Sequence, residues 1–283
     1  PTPQTLEITN SPAAVLNWQS FDIGKGETTR FIQQNAASAV LNRVTTGNSS
    51  EILGSLVSNG HVFLINPAGI LIGRDGSVDT AGVVLSTLQI NDQDFLAGKF
   101  RFEGDATSGT ITNHGYIKTA PGGEVVLIAP RIENIPEAGR AKSGLIESPN
   151  GDLILAAGSA ITIASLDDPD ITFDVRAPDN EVVNLGRLLA SGGTASILAG
   201  TIRHSGEINA DSVSSDGKGR ISLKASNRIS LSEGSVVRTV GGAGESGGDI
   251  AIDARNAGKD GSVDLLGKVS ADGETGGTVT VRA

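Results

Sequence analysis

Gly123-Glu124-Val125-Val126-Leu127-Ile128-Ala129 is the stretch that decides the fold, because the same phrase keeps returning. Gly-x-aliphatic-x-aliphatic-x-Ala starts again at Gly151, Gly193, Gly219, Gly248 and Gly277. The alternation has period two, so each copy predicts a strand with one face buried. The inward sets are Val125, Leu127, Ala129; Leu153, Leu155, Ala157; Ala195, Ile197, Ala199; Ile221, Leu223, Ala225; Ile250, Ile252, Ala254; and Val279, Val281, Ala283. The intervening positions are polar in several copies, such as Ser222 and Lys224, and are expected to meet water.

The copies start 28, 42, 26, 29 and 29 residues apart. A period of this length is the mark of a solenoid. A second phrase, Gly-x-Ile or Gly-x-Val, recurs at Gly115, Gly206 and Gly234, so each repeat carries more than one strand. Glycine before each strand and alanine at its end suit a coil that turns corners where no side chain fits. The fold expected is all-β, a right-handed parallel β-helix of roughly ten coils stacked about 4.8 Å apart. Helix is nearly unsupported: Ser49 to Leu56 and Gln93 to Ala97 carry helical residues, enough for single turns.

The chain has two textures. Trp18, Phe21, Phe31, Phe63, Phe95, Phe100, Phe102 and Tyr116 lie in its first 116 residues, and only Phe173 follows. This predicts an N-terminal β cap with the first coils over 1–116 and a shaft over 117–283, the cap closing an end that would otherwise expose strand edges and core. The one long step predicts an extra-helical hairpin near 166–187, with Ile171 to Val175 and Glu181 to Leu185 as its short strands. A chain without an initial Met, whose sixth copy runs to Ala283, reads as a piece of a longer protein.

Composition narrows the chemistry. Cysteine is absent, which removes disulfides, Cys-ligated metals and thiol catalysis. A net charge of -10 argues against nucleic acid or anionic lipid as the main partner. No run of about 18 apolar residues could span a membrane. His61, His114 and His204 are isolated, and no nucleophile elbow or phosphate-cradling loop occurs, so no catalytic, cofactor or metal residues are assigned. Asp167, Asp168 and Asp170 could hold calcium but lack ordered ligand spacing, and a solvated turn is the favoured reading. Asn48-Ser49-Ser50 is an acceptor triplet for N-linked sugar, a kind that arises often by chance. Asp253 aligns with Lys224 and Arg282 of the neighbouring copies, a pattern of cross-strand charge pairing.

The strongest local signal is Asn66-Pro67-Ala68-Gly69 between Val62-Phe63-Leu64-Ile65 and Ile70-Leu71-Ile72. Asn as first acceptor, Pro presetting φ and Gly in fourth place make a turn between two buried strands.

Several motifs together resemble the secretion domain of two-partner secretion exoproteins, the filamentous-haemagglutinin-like group. They are Val15-Leu16-Asn17-Trp18-Gln19-Ser20-Phe21-Asp22-Ile23-Gly24, Ala39-Val40-Leu41-Asn42-Arg43-Val44-Thr45, Asn59 to Pro67, and Gly82 to Leu88 followed by Asp94-Phe95. The likeness is nearer to the high-molecular-weight adhesin and haem–haemopexin utilisation subgroup, and Ala177 to Gly186 with Ile208 to Ser214 resembles the adhesins. One departure is Ala68, where the family turn carries a second Asn. The resemblance implies a non-enzymatic N-terminal domain that a dedicated outer-membrane transporter recognises through its periplasmic POTRA domains. The chain then crosses extended and folds outside as a monomer, secreted or held at the cell surface. Asn66, Pro67, Ala68, Gly69, Ile70, Asn17, Trp18, Phe21, Asn42 and Arg43 are the residues expected to serve transporter recognition or folding nucleation. Downstream regions would bind a host cell, matrix or neighbouring cell, as an adhesin, or alternatively serve a contact-dependent toxin or haem acquisition. The competing class is a β-helical polysaccharide-active enzyme or glycan binder, which would show outward carboxylates or aromatics stacked in line.

Overall fold

The structure, a computed structural model, describes residues 4–104, 107–163, 171–174, 180–212, 219–255 and 261–283, with the backbone alone over 171–174. The calcium candidates Asp167, Asp168 and Asp170 lie outside the described residues.

The chain winds as a parallel β-helix, each coil contributing to three faces. The first face is a sheet of ten parallel strands from Thr5–Thr9 to Lys268–Ser270. The second runs from Ala14–Trp18 through His61–Ile65, Gly82–Ser86, Val125–Ala129 and Asp152–Ala157 to Thr278–Arg282. The third runs from Ser50–Ile52 to Ser262–Leu265. Thr194–His204 and Arg220–Leu231 bend across both the second and third faces and join them into one sheet of sixteen strands. The described residues form ten coils, in line with the repeat length.

Inward aliphatics from all three faces make one continuous core, including Val125, Leu127, Leu153, Leu155, Ile197, Ile221 and Ile250. Each fully buried side chain of this size contributes roughly 1.5–3 kcal/mol of gross transfer energy. Val279 and Val281 differ: their strand pairs on one side only, and both are exposed. Gly151 and Gly193 show why the repeats begin with glycine. A Cβ at Gly151 would lie 1.9 Å from the Gly123 carbonyl oxygen, and one at Gly193 would lie 2.0 Å from that of Gly151. Gly248 and Gly277 meet the same obstruction from the glycine of the preceding coil, while a Cβ at Gly219 would run into the Ala210 carbonyl oxygen at 1.4 Å. These glycines form a column in which backbone packs directly on backbone, a close approach that any side chain would prevent. A second column stands at the corner entering the first face, where a Cβ on Gly206 would lie 1.9 Å from the Gly186 oxygen.

Two segments leave the shaft between the second and third faces. The first holds the helix Asp92–Leu96 and the strand Phe100–Glu103; the second holds Ala160–Ile163 and Ile171–Asp174. They meet in a three-stranded antiparallel sheet with Ala160–Ile163 in the middle. The predicted hairpin is therefore real but shorter and earlier than 166–187. Glu181–Asn184 is not its second arm: it pairs in parallel with Arg131–Asn134 and Thr194–His204 as a shaft strand. Its alternation, with Val182 inward, fits the main core and wins.

The extra sheet also corrects the expectation that outward positions of the repeats meet water. Leu41, Phe63, Ile65, Val84, Val126, Ile128 and Ile154 point outward and are buried beneath it with Phe95, Phe102, Ile161 and Ile163, making a second core outside the helix. The unbroken apolar run Val125 to Ala129 carries this signal, since a strand buried on both faces loses its alternation. Ser49 to Leu56 is a further correction. It forms the strands Ser50–Ile52 and Ser55–Ser58, because Ile52 stacks between Ile23 and Ile72 and that packing overrides helical propensity.

Candidate functional site

Asn66 occupies the corner between His61–Ile65 and Ile70–Ile72, and it is wholly buried. Its Oδ1 accepts from the Ala68 amide at 3.0 Å, and its carbonyl accepts from the Gly69 amide at 3.1 Å, closing the turn. Its Nδ2 donates to the Asn48 carbonyl at 2.9 Å and to Ser50 Oγ at 3.0 Å in the preceding coil. The following coil is tied in as well: the Asn66 amide donates to the Ser86 carbonyl at 2.9 Å, and the Gly109 amide to the Pro67 carbonyl at 2.7 Å. Asn66 thus fixes three successive coils to one another. Gly69 has φ +127°, a backbone that side chains disfavour. Pro67 and Ala68 remain half-buried, and Ile70 belongs to the core. The structure uses Ser50, third residue of the sugar-acceptor triplet, as the buried partner of Asn66, while Asn48 itself is exposed.

Trp18, Phe21 and Asn42 assemble into a second cluster at the beginning of the shaft. Trp18 Nε1 donates to Asn42 Oδ1 at 3.0 Å, and Asn42 Nδ2 donates to the Phe63 carbonyl at 3.2 Å, so side chains link the first three coils. The Trp18 and Phe21 rings meet edge to face at 5.6 Å, and Phe21 stacks on Phe31 at 6.4 Å. Such pairs contribute about 0.5–1.5 kcal/mol beyond their burial. Arg43 follows Asn42 in the strand and so faces outward. Its guanidinium donates to the Ile90 carbonyl at 2.6 Å and pairs with Asp92 at 2.7 Å, anchoring the first inserted segment. Asn17 is exposed on the terminal strand of the second face. The ten predicted residues therefore divide among a corner, an end cluster, an anchor and an exposed edge.

Sequence reasoning misses a polar ladder inside the third face. Asn113, Asn134, Asn184 and His204 occupy aligned positions on successive coils, all buried. Asn113 Nδ2 donates to Asn134 Oδ1 at 2.8 Å, Asn134 Nδ2 to Asn184 Oδ1 at 2.9 Å, and Asn184 Nδ2 reaches His204 Nδ1 at 3.1 Å. His204 Nδ1 also lies 3.2 Å from the Asn184 carbonyl, and Nε2 faces the Val236 carbonyl at 3.3 Å. Asn-His-Gly and His-Ser-Gly, leading into the second glycine phrase, were the available signal, at Asn113-His114-Gly115 and His204-Ser205-Gly206. His61 and Glu124 are also joined, Nδ1 to Oε1 at 2.6 Å, across the space left by Gly82.

Burial holds the His204 imidazole below its ordinary value, against the raising effect of the Val236 and Asn184 carbonyls. The unfolded chain therefore binds the proton first, and His204 lowers stability as pH falls through about 6.5, its unfolded value. Its contribution to the slope is at most about 1.4 kcal/mol per pH unit. We expect His204→Asn, which can continue the ladder without titrating, to flatten the pH dependence of the urea midpoint between about pH 6.5 and 4.5. An unchanged slope would place the acid sensitivity elsewhere.

The geometry offers tight corners and coil-to-coil ties. Comparison with known proteins agrees. A profile described as the TPS secretion domain matches residues 3–252. The HMW1 secretion domain from Haemophilus influenzae, a crystal structure, is 33% identical with a TM-score of 0.81, over 97% of this chain and 89% of that one. The filamentous hemagglutinin secretion domain is 17% identical over 96% of this chain and 92% of that one, with a TM-score of 0.45. A heme/hemopexin-binding protein of Haemophilus influenzae, strain Rd, is 42% identical over 77 residues, which make up 27% of this chain and 8% of that protein. With the family profile spanning most of the chain and the fold shared along nearly its whole length, the protein belongs to the TPS secretion domain family.

Proposed function

We propose that this domain is read by a partner transporter of the outer membrane while unfolded, and that it then nucleates the β-helix of the exoprotein to which it belongs. The observation that carries the second half is Asn66. Its side chain is wholly buried and spent on contacts within the fold, which supports a folding role and leaves the Asn66 carboxamide itself nothing to offer a receptor in the folded state. The Trp18–Asn42–Phe63 links support the same role, tying the first coils together before any later coil has a template. Nucleation is the costly step of such a fold, and each later coil pairs on an existing edge. Relatives with different names share this domain, which supports a role separable from the cargo.

The test is binding of the full chain to the isolated periplasmic domains of its transporter. Chain diluted freshly from urea should associate at least tenfold more tightly than chain refolded beforehand. Association with neither form would remove the transporter, and preference for the refolded form would reverse the order of recognition and folding.

A further inference from the structure

The two inserted segments lie far apart in sequence, yet they complete one sheet. Phe100 pairs with Ile163 and Glu103 with Ala160, 63 and 57 residues away, whereas neighbouring shaft strands such as Val40 and Val62 pair over 22. Closing the longer loop costs more chain entropy, and it needs the intervening coils in place before the ends can meet. Phe102 faces Ile161 across this pairing, and both are buried against the outward row of Phe63, Ile65, Val84, Val126 and Ile128. Arg43, four coils before the coil of the middle strand, holds the near end through Ile90 and Asp92.

We propose that the extra-helical sheet is a latch that closes after the first six coils have stacked. Until the strand Ala160–Ile163 is available, the second face of a growing shaft carries an open apolar flank, with the helix Asp92–Leu96 and the strand Phe100–Glu103 as a half-built cover. The middle strand then docks on Phe100–Glu103 and seals the flank from its far side. Its place in export rests on the reading of this domain as a folding nucleus. The order of closure does not, because it follows from the topology of the chain alone.

The experiment uses the purified full chain without any transporter, so its failure is distinct from failure of that reading. Pulse-labelled hydrogen exchange during refolding should protect amides of His61–Ile65 and Gly82–Ser86 at least fivefold earlier than those of Phe100–Glu103 and Ala160–Ile163. Ile161→Val and Phe102→Leu, both mild, should leave the folding rate within twofold and speed unfolding about fivefold, as interactions absent from the transition state do. Val62→Ala in the shaft core should slow folding. Simultaneous protection of the two sets, or a Phe102→Leu chain that folds as slowly as Val62→Ala, would overturn the latch.

Discussion

Replacing Gly151 by alanine should unfold the middle of the shaft. The new Cβ would sit 1.9 Å from the Gly123 carbonyl oxygen and 2.8 Å from its carbon, and neither atom is the movable end of a side chain. Gly193 presses from the other side, its own missing Cβ position lying 2.0 Å from the Gly151 oxygen, so a shift of one coil is passed to the next. Relief requires parting the coils, which breaks ladder hydrogen bonds in both adjoining strand pairs. We expect a loss on the order of 4 kcal/mol, at the severe end for single substitutions. Gly122→Ala is the control: Gly122 itself has φ +82° with open space around it, so the cost is confined to backbone strain of about 1–2 kcal/mol. Urea denaturation followed by circular dichroism separates the two. Equal midpoints would mean that the column tolerates side chains and that its glycines serve another purpose.

The glycine column was legible in the sequence because it repeats at each coil and because its physical cause is local. The number of coils and the inward residues up to Ala254 follow from the same periodicity, while the corner at Asn66 was legible from its turn residues. The extra-helical sheet was legible only in part. Its second segment stretches one repeat to 42 residues, but its first follows Ala81 to Thr87, where alanine stands in place of the leading glycine and threonine in place of the closing alanine, which hides an equal step to Gly123. Pairing between the two segments is a contact over about 60 residues, and no local pattern encodes it. The ladder of Asn113, Asn134, Asn184 and His204 was missed for a related reason: buried asparagine at a corner looks like a solvated turn until the coils are stacked. Among the candidate residues, proximity in sequence misled at Asn42 and Arg43. They are adjacent, yet the alternation of the strand sends one to the end cluster and the other to the inserted segment.

Asn66→Ala is expected to have the second large effect. The substitution deletes three hydrogen bonds, from Ala68 and to Asn48 and Ser50, and leaves the Asn48 carbonyl and the Ser50 hydroxyl without them. At about 1 kcal/mol net for each bond the loss is about 3 kcal/mol. Where that loss falls distinguishes the roles open to this corner. If the corner joins its three coils in the folding nucleus, the whole penalty appears in the folding rate; if it forms late, the penalty appears in unfolding. Ser50→Ala removes a single partner and should cost about a third as much with the same partition.

The most direct measurement is therefore the refolding rate of the full chain with and without the Asn66 carboxamide, followed through Trp18, the only tryptophan and a member of the end cluster. Nucleation at this corner predicts that Asn66→Ala refolds about a hundredfold more slowly while unfolding within a fewfold of the unmodified chain. A variant that refolds at the original rate and unfolds a hundredfold faster would contradict it, and would make the corner a late brace of the shaft.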